Sequence, residues 1–261
     1  MPGDSILSLP PVAADKRIHY GADPNQFGDL FLPKSGLPPS KTLHPVLMFV
    51  HGGYWRARYD LLYASRFCRA LADSGIAVWC LEYRRIGNSG GGWPGTFEDI
   101  LAGWSALRRI SSDHAIDLKR AMLCGHSAGA QLAMALSSRN GKLDPRPRAL
   151  FSLAGVLDLQ LAYDLHLSND AVVEFLGGTP KQVPDHYAEA NPMRLHIAIP
   201  QVLFHGVPDE DVPVALSRTY YSAKHKAGER VLYNQSPSAG HFDWVDPRTP
   251  EFQQVLHAVS N

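Results

Sequence analysis

Gly125-His126-Ser127-Ala128-Gly129 is the stretch on which the reading of this chain turns. Before it, Arg120-Ala121-Met122-Leu123-Cys124 has the apolar character of a short buried strand. After it, Gln131-Leu132-Ala133-Met134-Ala135-Leu136 is dense in good helix formers. A strand that reverses into a helix over so short a span holds its central residue in a strained backbone conformation. Glycines two positions to either side are then required, because a Cβ there would strike the turning chain or the following helix. The turn presents the Ser127 hydroxyl at the mouth of the sheet, with a helix N-terminus beneath it. G-x-S-x-G also recurs in ordinary Gly- and Ser-rich turns, but its place between a strand and a helix favours a nucleophile.

Outward from the elbow, strand-like runs alternate with helical patterns. Residues 18–32 read as a pair of short strands, and the Pro-, Ser- and Lys-rich segment 33–45 as a surface loop. Val46-Leu47-Met48-Phe49-Val50 is a continuous apolar run of the kind buried on both faces of a parallel sheet. Helices are predicted over 60–73, over 96–110 with Thr96 as N-cap, over 213–227 and over 248–259. Strands are predicted over 76–81, 149–154, 201–204 and 230–234. This alternation predicts an α/β fold, a doubly wound and mostly parallel sheet flanked by helices, as one domain over 1–261. Residues 157–199 are the one long stretch without a clear strand, and read as a small cap or a long connection.

Composition agrees and removes several classes. The chain has 261 residues, 45% of them hydrophobic, with 25 Lys plus Arg against 25 Asp plus Glu. That length suits one large α/β domain, and the balanced charge gives no reason to expect nucleic acid or an acidic membrane as partner. Cys68, Cys80 and Cys124 have no CxxC spacing and read as buried reduced thiols, which suits a cytoplasmic protein. Met1 to Pro11 shows no basic-then-apolar secretory pattern, and no apolar run is long enough to span a bilayer. Nothing in the sequence speaks to oligomeric state.

A serine nucleophile needs a base, and the base needs an acid to hold its tautomer. In sheets of this type both sit on loops after later strands, in the chain order serine, acid, histidine. His241, in Gly240-His241-Phe242-Asp243, follows the last strand-like run. The loop after 201–204 reads His205-Gly206-Val207-Pro208-Asp209-Glu210-Asp211-Val212-Pro213 and offers Asp209, Glu210 and Asp211. His205 precedes the acid and reads as a turn residue. The remaining histidines lack metal-ligand spacing, so no metal is expected, and acyl transfer through a serine implies no organic cofactor. The oxyanion formed by attack on a carbonyl needs N–H donors. The Ala128 amide is one, and Gly53 and Tyr54 in His51-Gly52-Gly53-Tyr54-Trp55, after the run 46–50, supply the others.

HGGYW at 51–55, YRR at 83–85, WPGTFEDI at 93–100, GHSAGAQLA at 125–133, HGVPDEDVP at 205–213 and GHFDWVDP at 240–247 together resemble the α/β-hydrolase fold. More narrowly they resemble its esterase/lipase branch, which includes kynurenine formamidases and feruloyl-esterase-like acyl hydrolases. The segment 20–30 is similar to that branch's opening strand pair. The resemblance places the acid on Asp209, by a pattern like H-G-x-x-D-x-x-V-P. Ala130 stands where many relatives carry a second glycine. Tyr54 stands where the hormone-sensitive-lipase branch has a third, which favours the formamidase-like branch. The implied activity is hydrolysis of small to medium acyl esters through Ser127, His241 and Asp209, with an aryl formamide or other amide as the alternative substrate. Trp55, Trp93 and Trp244 are the expected substrate-binding aromatics, with core packing as their competing role.

Overall fold

The computed structural model describes residues 6–34, 43–139 and 141–261. Most of the loop expected at 33–45, and the start of the N-terminal segment, lie outside the described residues. Strand β3 (His44–Val50) carries the apolar run 46–50 fully buried, and β4 (Ala77–Leu81) is buried throughout. Successive side chains of a strand point to opposite faces. Val46, Met48 and Val50 therefore enter one core and Leu47 and Phe49 the other; Ala77, Trp79 and Leu81 are sorted from Val78 and Cys80 in the same way. A strand apolar on both faces is stable only when helices cover both.

The remaining strands are β1 (Lys16–His19), β2 (Phe27–Phe31), β5 (Ile116–His126), β6 (Leu150–Leu153), β7 (Gln201–Gly206) and β8 (Val231–Ser236). They form one sheet in the order β1-β2-β4-β3-β5-β6-β7-β8, antiparallel at β1 and β2 and parallel from β4 onward. Helices α1 (Ser65–Asp73) and α9 (Pro250–Ser260) cover the face that holds Phe49. Helices α2 (Gly95–Ser105), α3 (Leu107–Asp113), α4 (Ala128–Ser137) and α8 (Ala215–Lys226) cover the other. Fully burying one such Phe, Leu or Val side chain contributes about 1.5–3 kcal/mol, so the two cores dominate the stability.

Two local readings need correction. The helix expected over 96–110 breaks after Ser105 into α2 and α3, and Thr96 is not its cap. Thr96 Oγ1 instead donates to Arg84 O at 2.6 Å and accepts from Gly92 N at 3.1 Å, stitching the preceding loop beneath the helix. Asp99 is likewise drawn inward, 1% exposed, where the Arg84 guanidinium grips both its oxygens at 2.6 and 2.8 Å.

Residues 157–199 fold as α5 (Leu159–Asp164), α6 (Ala171–Leu176), α7 (Pro184–Ala190) and a 3-10 turn at Pro192–Arg194. They brace α4 and the loop after β3. Phe175 stacks on Trp55 with ring centroids 4.5 Å apart, and Gln131 Nε2 donates to Ala190 O at 2.8 Å. Among the described residues no helix is long and apolar enough to cross a membrane. Cys68, Cys80 and Cys124 are buried free thiols.

Candidate active site

Ser127 joins β5 to α4 at φ 56° and ψ −124°, a backbone region that costs a non-glycine residue about 1–3 kcal/mol. Its surroundings hold it there. Ser127 N donates to Leu153 O at 2.9 Å, and Ser127 O accepts from Ala130 N at 3.1 Å and Val156 N at 3.2 Å. The flanking glycines are forced by contact: a Cβ on Gly125 would overlap Gly129 O and Ala130 N, and one on Gly129 would overlap Val50 O.

The end of β7 delivers Asp209 and the end of β8 delivers His241, which are 7% and 6% exposed. His241 Nδ1 meets Asp209 Oδ2 at 2.8 Å. Asp209 Oδ1 accepts from Asp211 N at 3.0 Å and Val212 N at 2.8 Å, so backbone amides fix the carboxylate on its other side. Burial pushes the Asp209 pKa up, but hydrogen bonds from His205 and His241 outweigh it and hold the group well below the usual carboxylate range. His205 lies fully buried: Ser217 Oγ faces its Nδ1 at 2.7 Å, and its Nε2 faces Val212 O at 2.9 Å and Asp209 Oδ2 at 3.2 Å. It is a second histidine on the acid, which the sequence reading treated only as a turn residue.

Gly53, Tyr54 and Trp55 follow β3 with φ of 111°, 50° and 57°. This left-handed run turns the loop over the elbow. Among the described residues the Gly53 and Tyr54 amides have no acceptor, and both residues line the same cavity as Ser127. The loop rests on a buried network that sequence reasoning did not find. His51 Nδ1 faces Gly52 O at 2.7 Å and its Nε2 faces Glu82 Oε1 at 3.0 Å, with Arg85 also paired to Glu82 at 3.2 Å. Burial pushes the Glu82 carboxyl up, yet the charges of His51 and Arg85 bring it below its usual value.

The cavity over Ser127 and His241 has a volume of about 320 Å³. Its apolar walls come from Leu7, Tyr54, Tyr59, Tyr63 and Phe242, and Asp211 reaches its rim. The Tyr54 hydroxyl donates to the backbone carbonyl of Asp211, bridging the loop after β3 to the loop after β7. Trp55, Trp93 and Trp244 are not in these walls. Trp55 and Trp244 are fully buried, and Trp93 is 9% exposed. Trp55 Nε1 donates to Gln131 Oε1 at 3.0 Å, Trp93 stacks on Phe97 at 5.1 Å and Trp244 packs on Phe204 at 5.3 Å. Their assignment to substrate is corrected to core packing, because Trp55 and Trp93 pack against residues of the flanking helices and Trp244 packs against Phe204 of β7. No residue of the described segment 157–199 lines the cavity either. Asp209, Asp211 and His241 also place one potential ligand atom each within 4.8 Å of one another. His241 Nδ1 and both Asp209 oxygens are already committed to hydrogen bonds there, so the geometry reads as an imidazole held by its acid.

The BD-FAE family model matches residues 29–223, spanning the elbow, the loop after β3 and the Asp209 loop. The chain belongs to the BD-FAE family of α/β hydrolases. Among curated relatives, it is 26% identical to a probable isoprenylcysteine alpha-carbonyl methylesterase of Oryza sativa subsp. japonica, over 83% of this chain and 55% of that one. It is 28% identical to the esterase LipQ of Mycobacterium tuberculosis, over 83% of this chain and 54% of that one. The chain thus spans about half the length of these relatives. Among solved structures, esterase B from Lactobacillus rhamnosis superposes with a TM-score of 0.80 at 19% identity, covering 99% of this chain and 92% of that one. A carbohydrate esterase from gut microbiota gives 0.79 at 20% identity, with 96% of each chain covered. At these identities the two structures establish the shared α/β-hydrolase fold, an eight-stranded sheet wrapped by helices.

Proposed function

We propose that this protein is a serine carboxylesterase acting on small to medium acyl esters. The observation that carries the reading is an imbalance around one imidazole. His241 Nδ1 is bound at 2.8 Å to a carboxylate that four hydrogen-bond donors hold ionised, while the ring borders the cavity that contains the strained Ser127. Such an imidazole has its Nδ1 proton fixed and its Nε2 lone pair available to take the serine proton. Ser127 Oγ attacks the ester carbonyl as His241 accepts that proton, and Asp209 stabilises the imidazolium. The oxyanion is received by the amides of Ala128, Gly53 and Tyr54. His241 then protonates the departing alkoxide, and water repeats the sequence on the acyl-enzyme to release the acid. The naming of LipQ, of the rice relative and of esterase B as esterases supports the reaction class.

The test is turnover of p-nitrophenyl butyrate by the parent and by Ser127→Ala. The expected loss is several orders of magnitude in kcat with the fold intact. Activity within about tenfold of the parent would overturn the nucleophile. An aryl formamide in the same panel tests the substrate class: a formamide rate about a hundredfold above every ester would replace the ester reading.

A further inference from the structure

We propose that Tyr63 and His126 form a positioning relay that locks the oxyanion loop to the backbone of His241. This inference rests on the esterase reading above, since it concerns the placement of the same base and the same donors.

The relay follows from donor and acceptor bookkeeping. His126 Nε2 lies 3.0 Å from the backbone carbonyl of His241. A carbonyl only accepts, so Nε2 carries the proton, and in the neutral ring Nδ1 is then a lone pair. That lone pair faces the Tyr63 hydroxyl at 2.7 Å, so the hydroxyl donates. With its proton committed, the hydroxyl accepts from Gly52 N at 2.8 Å. The whole chain, from Gly52 N–H through Tyr63 O–H and His126 to His241 O, therefore runs in one direction with every polar atom used. It requires His126 to stay neutral as the Nε2–H tautomer. Burial, and next the neighbouring His241, push the His126 pKa down to about 3. The groups facing it are Tyr63, the His241 ring with centroids 4.7 Å apart, and Phe242; the charges of Asp209 and His205 act from further off.

The residues joined are far apart in the chain. Gly52 follows β3, Tyr63 sits in the 3-10 turn Leu61–Ala64, His126 ends β5 and His241 follows β8. Gly52 also touches the elbow, since a Cβ there would come 2.7 Å from Ser127 Cβ. Donors that receive the oxyanion and the base that moves the proton must both sit correctly relative to one Ser127 oxygen. The relay fixes those two loops to each other through the elbow's own strand. Misplacement on the scale of an ångström costs up to about a hundredfold in rate, and the cost appears in kcat when ground-state binding is unaffected.

The test uses the whole chain with p-nitrophenyl butyrate and melting temperature measured alongside. Tyr63→Phe keeps the ring against Phe242 and removes only the hydroxyl. It should lower kcat about tenfold or more with KM within about threefold. His126→Asn keeps an atom near Nδ1 but loses the donor to His241 O, and should behave alike. His126→Gln places an amide donor near Nε2 and should recover most of that loss. The double variant Tyr63→Phe/His126→Asn should be no worse than the poorer single one, the mark of residues in one chain. Variants melting like the parent with kcat within about twofold of it, or losses that simply multiply, would overturn the relay. A second readout does not depend on any variant. Nitrogen NMR of the histidine-labelled parent should show His126 neutral with its proton on Nε2 from about pH 5 to 8, and a His126 that titrates near the ordinary histidine value of about 6.5, or that is protonated on Nδ1, overturns the proposal. If Ser127→Ala keeps the parental rate, the esterase reading fails, while the tautomer of His126 can still be read.

Discussion

Asp209 and Asp211 stand two residues apart and have different surroundings. Asp209 is nearly buried and holds four donors, whereas the Asp211 carboxylate is exposed at the cavity rim and only its backbone carbonyl takes the Tyr54 hydroxyl. Asp209→Asn should lower kcat by about 10³–10⁴, the scale seen when a triad loses the acid that fixes its tautomer, and Asp211→Asn should lower it far less. Steady-state kinetics on both variants checks this, and the reverse ranking would move the acid to Asp211. The elbow glycines allow a prediction about stability instead. Gly129→Ala puts a methyl group against Val50 O, a backbone atom that cannot step aside. It should destabilise the fold by at least about 1–3 kcal/mol, the usual cost of overpacking, measured by denaturant unfolding.

Between elements, the three tryptophans show how the core claims residues that a motif-based reading assigns to substrate. Trp55 follows Gly53 and Tyr54 immediately, but its ring turns away to stack on Phe175 of α6. The segment 157–199 therefore acts as a brace behind the site. Phe175→Ala should cost about 3–5 kcal/mol, as for other large-to-small core changes, and should leave KM for a short-chain ester nearly unchanged. Paired unfolding and kinetic measurements test it: a large KM change at parental stability would return 157–199 to the substrate pocket. Sequence made the element alternation legible because β3 and β4 are apolar on both faces, a pattern that few other environments allow. The inward turn of Asp99 was not legible, because it depends on Arg84 reaching back to it from another loop.

For the whole molecule, two buried groups at the site contribute to the acid limb of stability. His126 is neutral when folded, with its pKa pushed down to about 3 from 6.5. Below 6.5 the unfolded chain binds a proton that the folded chain refuses, so stability falls as pH drops from about 6.5 toward 3. Asp209 is held below its usual range when folded, so its contribution is present above about 3.9 and is lost as pH falls through the folded value. His126→Gln should remove the first effect alone. Its stability between about pH 6.5 and 4 should fall less steeply than the parent's, by at most about 1.4 kcal/mol per pH unit, as read from unfolding curves across that range. Equal slopes would show that His126 protonates freely in the folded chain. The cavity of about 320 Å³ is small, and no part of 157–199 extends it. Among butyrate, octanoate and palmitate esters, kcat/KM should therefore be highest for butyrate, and a preference for palmitate would contradict the cavity.

What the sequence determined by itself was the order of the strands' chemistry and the loops that follow them. A G-x-S-x-G flanked by an apolar run and a helix-forming run favours one backbone solution, and a carboxylate and a histidine after two later apolar runs then arrive on the same edge of a parallel sheet. Local sterics and period-two burial carry that information, and both are written in consecutive residues. The walls of the cavity were decided only by tertiary structure. Leu7, Tyr59 with Tyr63, and Phe242 come from three distant stretches of the chain that meet only above the sheet, and Trp55, Trp93 and Trp244 are drawn away by Gln131, Phe97, Phe175 and Phe204. The same holds for His126, an elbow residue beside the serine whose hydrogen-bond partners lie 63 and 115 residues away in sequence. A side chain's destination depends on which distant neighbours offer the better packing or the missing hydrogen bond, and no local pattern records that choice.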